Sequence, residues 1–139
     1  MIKLTDEMKE RINDAFTSGK PCVLATADKH GAPDINFRGS MGAWDDEHLF
    51  FWDRSLELST TNIEENPNVV VLYMDRSVRI GWRFYGQATI FKDGPIRQKI
   101  MDRTLQAELD KDPERKGYGV LIRVDKVRPY SGGAALQER

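Results

Sequence analysis

The chain has 139 residues, of which 40% are hydrophobic and 31% are charged, as expected for a single globular domain with one core. Its formal net charge of −1 argues against a DNA- or RNA-binding protein, because such proteins neutralise many phosphates with a basic surface. No apolar run reaches about eighteen residues, and the N-terminal segment MIKLTDEMKERIN is charged and unlike a signal peptide. We therefore predict a cytoplasmic protein that neither spans a membrane nor is exported.

The first predicted element is a helix within residues 1–20. Apolar residues recur at helical spacing from Leu4 to Phe16, and Thr5 precedes two acids as an N-cap does. Gly19 is predicted to end this helix. A first strand over 22–27 begins with the only cysteine, Cys22, whose apolar neighbours predict a buried structural thiol.

Turn residues and alternation predict the elements that follow. The reversal at residues 28–31 joins the first strand to a second over 33–38. Further strands are predicted over 48–52, 69–74, 78–85 and 118–127. Short helices are predicted over 55–65 and between 93 and 112, each stopped before a proline. Residues 128–139 are predicted to be a flexible tail.

The fifth predicted strand shows the clearest alternation. Val78, Ile80 and Trp82 alternate with polar or small residues, so that one face is predicted to meet the core and the other to carry Arg79 and Arg83. Six strands joined mostly by short reversals favour an antiparallel barrel over a doubly wound sheet. We predict one domain over residues 1–139, mainly β, with a six-stranded antiparallel barrel and peripheral helices.

An anion-binding site is predicted where the second and third strands end. Arg38, Ser40, Arg54 and Ser55 could hold a phosphate, because guanidinium groups pair with two oxygens and hydroxyls add donors. Backbone groups near Arg38 and the rings of Trp44, Trp52 or Trp82 could hold a flat ligand.

The same residues could also have purely structural roles. An arginine beside an aspartate, as Arg54 is beside Asp53, is commonly a solvated ion pair, and Trp82 on an alternating strand is commonly part of a core. Between Arg38 and Asn62 there are two arginines but five acids, which disfavours a phosphate site unless the acids point away.

Several familiar catalytic signals are absent. Two histidines, His30 and His48, and one cysteine do not make an ordinary zinc site, so no metal site is predicted. There is no Gly-x-Gly-x-x-Gly fingerprint, no Walker loop and no Gly-x-Ser-x-Gly elbow. Redox or group-transfer chemistry would therefore depend on a cofactor.

The succession of segments resembles the FMN-binding split-barrel family typified by pyridoxamine 5'-phosphate oxidase. The resemblance covers about residues 21–127 and is carried by GKPCVLATADKHGAPDINFRGS, DDEHLFFWDRS, NIEENPNVVVLY and RIGWRFYGQATI. It implies a split β-barrel, a homodimer with FMN sites between the subunits, and an oxidoreductase that acts on a small molecule. The family's phosphate contacts fall here on Arg38, Gly39, Ser40, Trp52, Asp53, Arg54, Ser55, Thr60, Thr61 and Asn62, with Trp82 and Arg83 expected beside the ring or the partner.

One departure from the family pattern opens alternatives. Many FMN-binding relatives carry a lysine or arginine just before the position of Asn62, where this chain has Ser59, Thr60 and Thr61. The alternative prediction is a non-enzymatic dimer that binds a flavin, a deazaflavin coenzyme or haem. For haem, His48 is the better of two weak ligand candidates, although a core or interface histidine is the more common role.

Overall fold

The computed structural model describes all of residues 1–139. Six long strands and two two-residue strands form one antiparallel sheet with four short helices around it. None of the helices is long and apolar enough to cross a membrane. The helices are α1 Asp6–Asn13, α2 Leu58–Glu65, α3 Gly94–Arg103 and α4 Gln106–Leu109. The strands are β1 Cys22–Ala27, β2 Pro33–Arg38, β3 Gly42–Ala43, β4 His48–Asp53, β5 Asn68–Asp75, β6 Ile80–Phe91, β7 Tyr118–Pro129 and β8 Gln137–Glu138.

The sheet curls so that its two ends share one core. The strand order is β2-β1-β5-β6-β7-β4-β3, with β8 paired to β7. Leu24 of β1 and Phe51 of β4 come from opposite parts of this order, yet both belong to one buried cluster of 22 residues. A sheet whose ends close on one core is a partly open barrel. The structure therefore confirms the predicted antiparallel split barrel.

The helix α1 is shorter than the predicted helix. Thr5 is the N-cap, and its side chain accepts a hydrogen bond from the Met8 amide at 3.1 Å. The helix ends at Asn13, whose side chain accepts a hydrogen bond from the Ala43 amide at 2.8 Å. Turns then lead to Gly19, which adopts a φ of +76°. The end of α1 is thus set by a contact with β3, which the helical spacing of apolar residues does not reveal.

The strand predicted from residue 78 begins later and runs longer. Residues 76–79 form a turn in which Arg79 has a φ of +55°, and Val78 is exposed. The strand β6 then continues to Phe91. Arg79 is therefore not on the strand face where the alternation placed it, because the turn removes it from the pleat.

The helix predicted between residues 93 and 112 is divided into α3 and α4. Thr104 takes an extended conformation, with φ −76° and ψ 140°, directly after α3. Its hydroxyl donates to the Ile100 carbonyl at 2.7 Å, so the last turn of α3 is closed by a side chain rather than continued. This break turns α4 towards the end of β2.

The C-terminal residues are attached to the sheet. The prediction of a flexible tail over 128–139 missed two features: residues 128–129 belong to β7, and β8 pairs with Lys126 and Val127. Gln137 also exchanges two hydrogen bonds with the backbone of Lys3. The tail is therefore held at both of its ends.

The edge strand β2 turns apolar side chains outward and polar ones inward. Ile35 and Phe37 are 69% and 70% exposed. Asn36 and Arg38 lie opposite Leu24 and Cys22 of β1, which are both fully buried, so their side chains share the inner face. An antiparallel strand with one solvated face usually has the reverse arrangement. This inversion places polar groups at the margin of the core.

Candidate functional site

A cleft opens where β2 and β4 end, between α2 and α4. Its part towards α4 has a volume of about 250 Å³ and its part towards α2 about 370 Å³. Arg38, Phe37 and Ser55 border both parts. A more open depression of about 460 Å³ lies on the outer face of the sheet around Tyr85 and Lys126. We assign the site to the cleft because buried polar atoms without partners lie beside it.

Arg38, the last residue of β2, lies at the centre of the cleft. Its side chain is 11% exposed, and Nη2 lies 3.8 Å from Oδ1 of Asp53. Nη2 also donates to the Ser59 hydroxyl, and the guanidinium lies 5.2 Å from the centroid of the Phe51 ring. Burial lowers the pKa of Arg38 from its ordinary value, and the nearby Asp53 opposes that shift. Since arginine remains charged in proteins, the cleft keeps a partly buried positive charge.

Two polar atoms of β2 are buried without a hydrogen-bond partner, Nε of Arg38 and Oδ1 of Asn36. The other end of the Asn36 amide donates to the Ser59 hydroxyl at 3.1 Å. Exchanging the amide oxygen and nitrogen would leave a donor unpaired instead of an acceptor. An unsatisfied buried polar group costs about 1–3 kcal/mol. Arg38 and Asn36 therefore offer one donor and one acceptor that the chain itself does not use, as expected at a ligand-binding site.

Asp53 shapes the loop between β4 and α2 from below the cleft. Its carboxylate is fully buried and accepts hydrogen bonds from the Thr60 hydroxyl, the Ser55 hydroxyl and the Leu56 amide. Leu56 has a φ of +52°, a strained value for a residue of this type. Asp53 and Thr60 were predicted as ligand contacts, but the structure uses their side chains to hold this loop.

Ser40 and Trp52 form a rigid side of the cleft. The Ser40 hydroxyl accepts from the Trp52 amide and donates to the Trp52 carbonyl, both at 3.0 Å. The indole Nε1 donates to Oδ2 of Asp112 at 2.9 Å, and Arg97 lies over the ring at 4.9 Å. The Ser40 donor is therefore already engaged within the chain, whereas Trp52 provides a fixed wall.

The remaining predicted residues of α2 point elsewhere. The Thr61 hydroxyl donates to the Glu57 carbonyl at 3.5 Å on the exposed side of the helix. The Asn62 amide is buried and donates to the Thr26 hydroxyl at 3.0 Å. Neither side chain borders the cleft. Their hydrogen bonds attach α2 to β1 and close its own first turn.

Trp82 and Arg83 on β6 do not border the cleft either, because their side chains are engaged elsewhere. Trp82 stacks on Tyr73 with a centroid distance of 6.0 Å inside the main core. Arg83 donates to the Pro129 and Gly132 carbonyls. The structure thus brings six of the predicted residues to the cleft: Arg38, Gly39, Ser40, Trp52, Arg54 and Ser55.

The acids that disfavoured a phosphate site mostly point away from it. Asp45 pairs with His48 at 2.8 Å, Asp46 with Lys9 at 2.5 Å, and Glu47 with Arg139 at 2.8 Å. None of these residues borders the cleft. Because His48 is among them, the structure places the predicted haem-ligand candidate away from this site.

Among the cleft residues that sequence reasoning did not assign to the site, four matter most for its chemistry: Asn36, Ser59, Glu108 and Lys111. Asn36 and Ser59 bond directly to each other beside Arg38, and the spacing of two residues from Arg38 along β2 was a usable signal for Asn36. Glu108 and Lys111 reach the cleft from α4 and the turn after it. Nothing in their local pattern distinguishes them from surface charges, since their approach depends on the break between α3 and α4.

The pyridoxamine 5'-phosphate oxidase family model matches residues 4–128. Among solved structures, the chain is similar to HupZ of Group A Streptococcus, with 27% identity and a TM-score of 0.74 over 96% of this chain and 99% of that one. An FMN-binding protein of Syntrophomonas wolfei shares 17% identity, with a TM-score of 0.71 over 92% of this chain and 89% of that one. An F420 reductase shares 24%, with a TM-score of 0.57 over 78% and 89%. These last two likenesses concern the fold. No curated protein matches the sequence.

Proposed function

The chain belongs to the pyridoxamine 5'-phosphate oxidase family, and we propose that it is an FMN-dependent oxidoreductase acting on a small molecule. The observation that carries this proposal is the guanidinium of Arg38, which is largely buried and has an unpaired Nε. A phosphate offers several acceptor oxygens to such a group, and charge-assisted hydrogen bonds of this kind are among the strongest in proteins.

The residues around Arg38 fit a phosphorylated, polyhydroxylated ligand. Arg54 and Ser55 border the cleft on the side of β4, and Arg54 makes no ion pair or hydrogen bond within the chain. Ser59 adds a hydroxyl on the side of α2. The unpaired amide oxygen of Asn36 suits a hydroxyl donor. The Ser55 hydroxyl already donates to Asp53, so Arg38, Arg54 and Ser59 supply the donors for a phosphate. Asn36 supplies an acceptor for a sugar-like chain.

In this proposal the electron transfer belongs to the bound flavin, and the protein binds and orients it. Arg38 is held by Asp53 and Ser59, so its guanidinium group is positioned before a ligand binds. Trp52, fixed by Asp112, keeps one wall of the cleft rigid and excludes water from that side. Such preorganisation lowers the entropic cost of binding.

We propose that the protein works as a homodimer with its ligand sites at the subunit interface. The barrel interior is filled by the 22-residue cluster, so a flat ring would have to lie outside it. Ile35, Phe37 and Leu58 form an exposed apolar patch beside the cleft. A second copy would cover this patch and complete the apolar walls of the site. A cytoplasmic location remains a prediction.

A binding protein without turnover is the second candidate. The cleft is bordered by no histidine, cysteine or tyrosine, so it offers few groups for general acid or base catalysis. The same observation disfavours haem, which needs an axial ligand, more than it disfavours FMN or a deazaflavin coenzyme.

Reconstitution tests the proposal directly. Purified protein is mixed with excess FMN, passed through a desalting column, and examined for flavin absorbance and for its molar mass in solution. We expect about one FMN per chain and a dimer, followed by flavin reduction when reduced nicotinamide is added anaerobically. A protein that retains FMN but reacts with no electron donor would favour the second candidate. A protein that leaves the column colourless would contradict both flavin assignments.

A further inference from the structure

We propose that Lys111 binds the anionic group of the ligand together with Arg38, and that Glu108 is the internal counter-ion which this group displaces. The inference rests on the proposed function, since it concerns the same cleft. It assigns a site for a phosphate monoester or a similar dianion, built partly from a region of the chain that follows α3.

The side of the cleft formed by α2 has no cation. The helix, of sequence LSTTNIEE, contains no lysine or arginine, and its N-cap residue Glu57 makes no side-chain capping bond. The Thr60 hydroxyl donates to Asp53, and Ser59 accepts from Asn36 and Arg38, so this side offers at most a neutral hydroxyl donor. A dianion beside Arg38 would therefore find no second fixed positive charge on this side.

The side formed by α4 does supply a cation. Lys111 borders the same part of the cleft as Arg38 and Arg54. Its ammonium lies 5.3 Å from the centroid of the Phe16 ring and 3.5 Å from Oε2 of Glu108. The side chain is 46% exposed, and the contact of its ammonium with the Phe16 ring favours a position at the mouth of the cleft. Lys111 is thus placed to supply, from the α4 side, the second positive charge that the α2 side lacks.

Glu108 occupies the space that an anionic ligand would seek. The residue is 7% exposed, and Lys111 is the only group paired with its carboxylate. A Cβ placed on Gly39 would lie 1.8 Å from Oε1 of Glu108, so the carboxylate rests directly against the backbone next to Arg38. Glycine at this position permits that close approach. The carboxylate also acts electrostatically on Arg38.

The balance of charge explains how the two residues would work together. Three cations, Arg38, Arg54 and Lys111, border this part of the cleft with a single acid, Glu108. Asp53 is buried beneath and bonded to Thr60. Without a ligand, Glu108 partly neutralises the cluster; with a dianion present, Lys111 can exchange its weak 3.5 Å pairing for a contact with the ligand.

Substitution of Lys111 tests its half of the proposal. Lys111→Met removes the ammonium and keeps most of the stem, and Lys116→Met is the matched control, since Lys116 is 75% exposed and pairs with Glu114 outside the cleft. Affinities for FMN and for riboflavin, which lacks the phosphate, are measured by fluorescence quenching. We expect Lys111→Met to weaken FMN binding about tenfold and to leave riboflavin binding unchanged. Equal FMN affinity in the two variants, or an equal loss for both ligands, would overturn the assignment.

Substitution of Glu108 tests the counter-ion. Glu108→Gln keeps the shape of the side chain and removes the charge that competes with the ligand. We expect FMN to bind roughly three- to tenfold more tightly, because a like charge beside the phosphate is lost. Unchanged or weaker binding would show that Glu108 does not compete with the anion, and the counter-ion role would be abandoned.

Inorganic pyrophosphate separates this inference from the flavin assignment. If the native protein binds no FMN, calorimetric titration with pyrophosphate is carried out on the native protein and the same three variants. Binding that weakens in Lys111→Met and strengthens in Glu108→Gln would support the anion site while the flavin proposal fails. Absence of pyrophosphate binding as well would overturn both. Normal FMN binding that is insensitive to Lys111 would leave the proposed function intact and refute only this inference.

Discussion

Removal of the Asp53 carboxylate should destabilise the protein strongly, although the residue lies beside a surface cleft. Asp53 is fully buried, lies 3.8 Å from the guanidinium of Arg38, and accepts the Thr60 hydroxyl. In Asp53→Ala the arginine would lose its nearest counter-charge and Thr60 its acceptor. Breaking a buried ion pair by removing one partner costs about 3–5 kcal/mol. We therefore expect the free energy of unfolding to fall by about that amount.

Equilibrium unfolding in urea measures this loss. With an m-value of about 2 kcal/mol per molar, the midpoint should fall by roughly 2 M. The matched control is Asp46→Ala, which removes a half-exposed carboxylate paired with Lys9 and should cost less than about 1 kcal/mol. Protein concentration is kept constant, because stability of an associating protein depends on it.

A double variant tests whether the unpaired charge of Arg38 causes the loss of stability in Asp53→Ala. Replacing Arg38 by Met in the Asp53→Ala background removes the uncompensated charge, so part of the lost stability should return as a coupling energy of about 0.5–3 kcal/mol. If Asp53→Ala destabilises no more than Asp46→Ala, the buried pair does not hold this part of the fold, and the reasoning about the preorganised Arg38 is refuted.

Two further predictions concern Cys22 and Ser40. Burial raises the pKa of the Cys22 thiol to about 12 from 9.0; in that pH range the unfolded chain has released the proton that the folded chain keeps, so stability falls as pH rises. We expect a loss of up to about 1.4 kcal/mol per pH unit between pH 9 and 12 that disappears in Cys22→Ala, whereas an identical alkaline slope in the variant would contradict it. Ser40→Ala deletes both 3.0 Å bonds to the Trp52 backbone and should cost about 1–3 kcal/mol in urea unfolding; a cost below about 0.5 kcal/mol would show that water replaces the hydroxyl.

Much of the strand architecture was predictable because strong local signals mark it. The predicted bounds of β1 and β2 agree with the structure, since Asp28 accepts backbone hydrogen bonds from His30 and Ala32 within the connecting turn. The proline after Asn66 likewise ends α2 where expected. Where a contact with another element sets the end, as Asn13 does for α1, the prediction extended the helix too far.

Only part of the site could be predicted, because tertiary structure brings together residues that are far apart in the sequence. The end of β2 and the end of β4 were identified from turn residues, and the structure brings Arg38 and Arg54 into one cleft. Glu108 is 70 positions after Arg38 in the sequence and approaches it through the break at Thr104. Trp82 was expected beside the flavin ring on the strength of the family resemblance, whereas the alternation of its strand favoured a core position, and the structure places it in the main core.

The most direct test of the account concerns Arg38 as the anchor of a phosphate. FMN and riboflavin affinities are compared by fluorescence quenching for the native protein and Arg38→Ala, with Arg123→Ala as a control that removes an arginine paired with Asp125 on β7. The account predicts that Arg38→Ala weakens FMN binding by about 1.5–3 kcal/mol, roughly tenfold to over a hundredfold, and leaves riboflavin binding unchanged. Absence of FMN binding by the native protein, or an equal loss of both ligands, would contradict it.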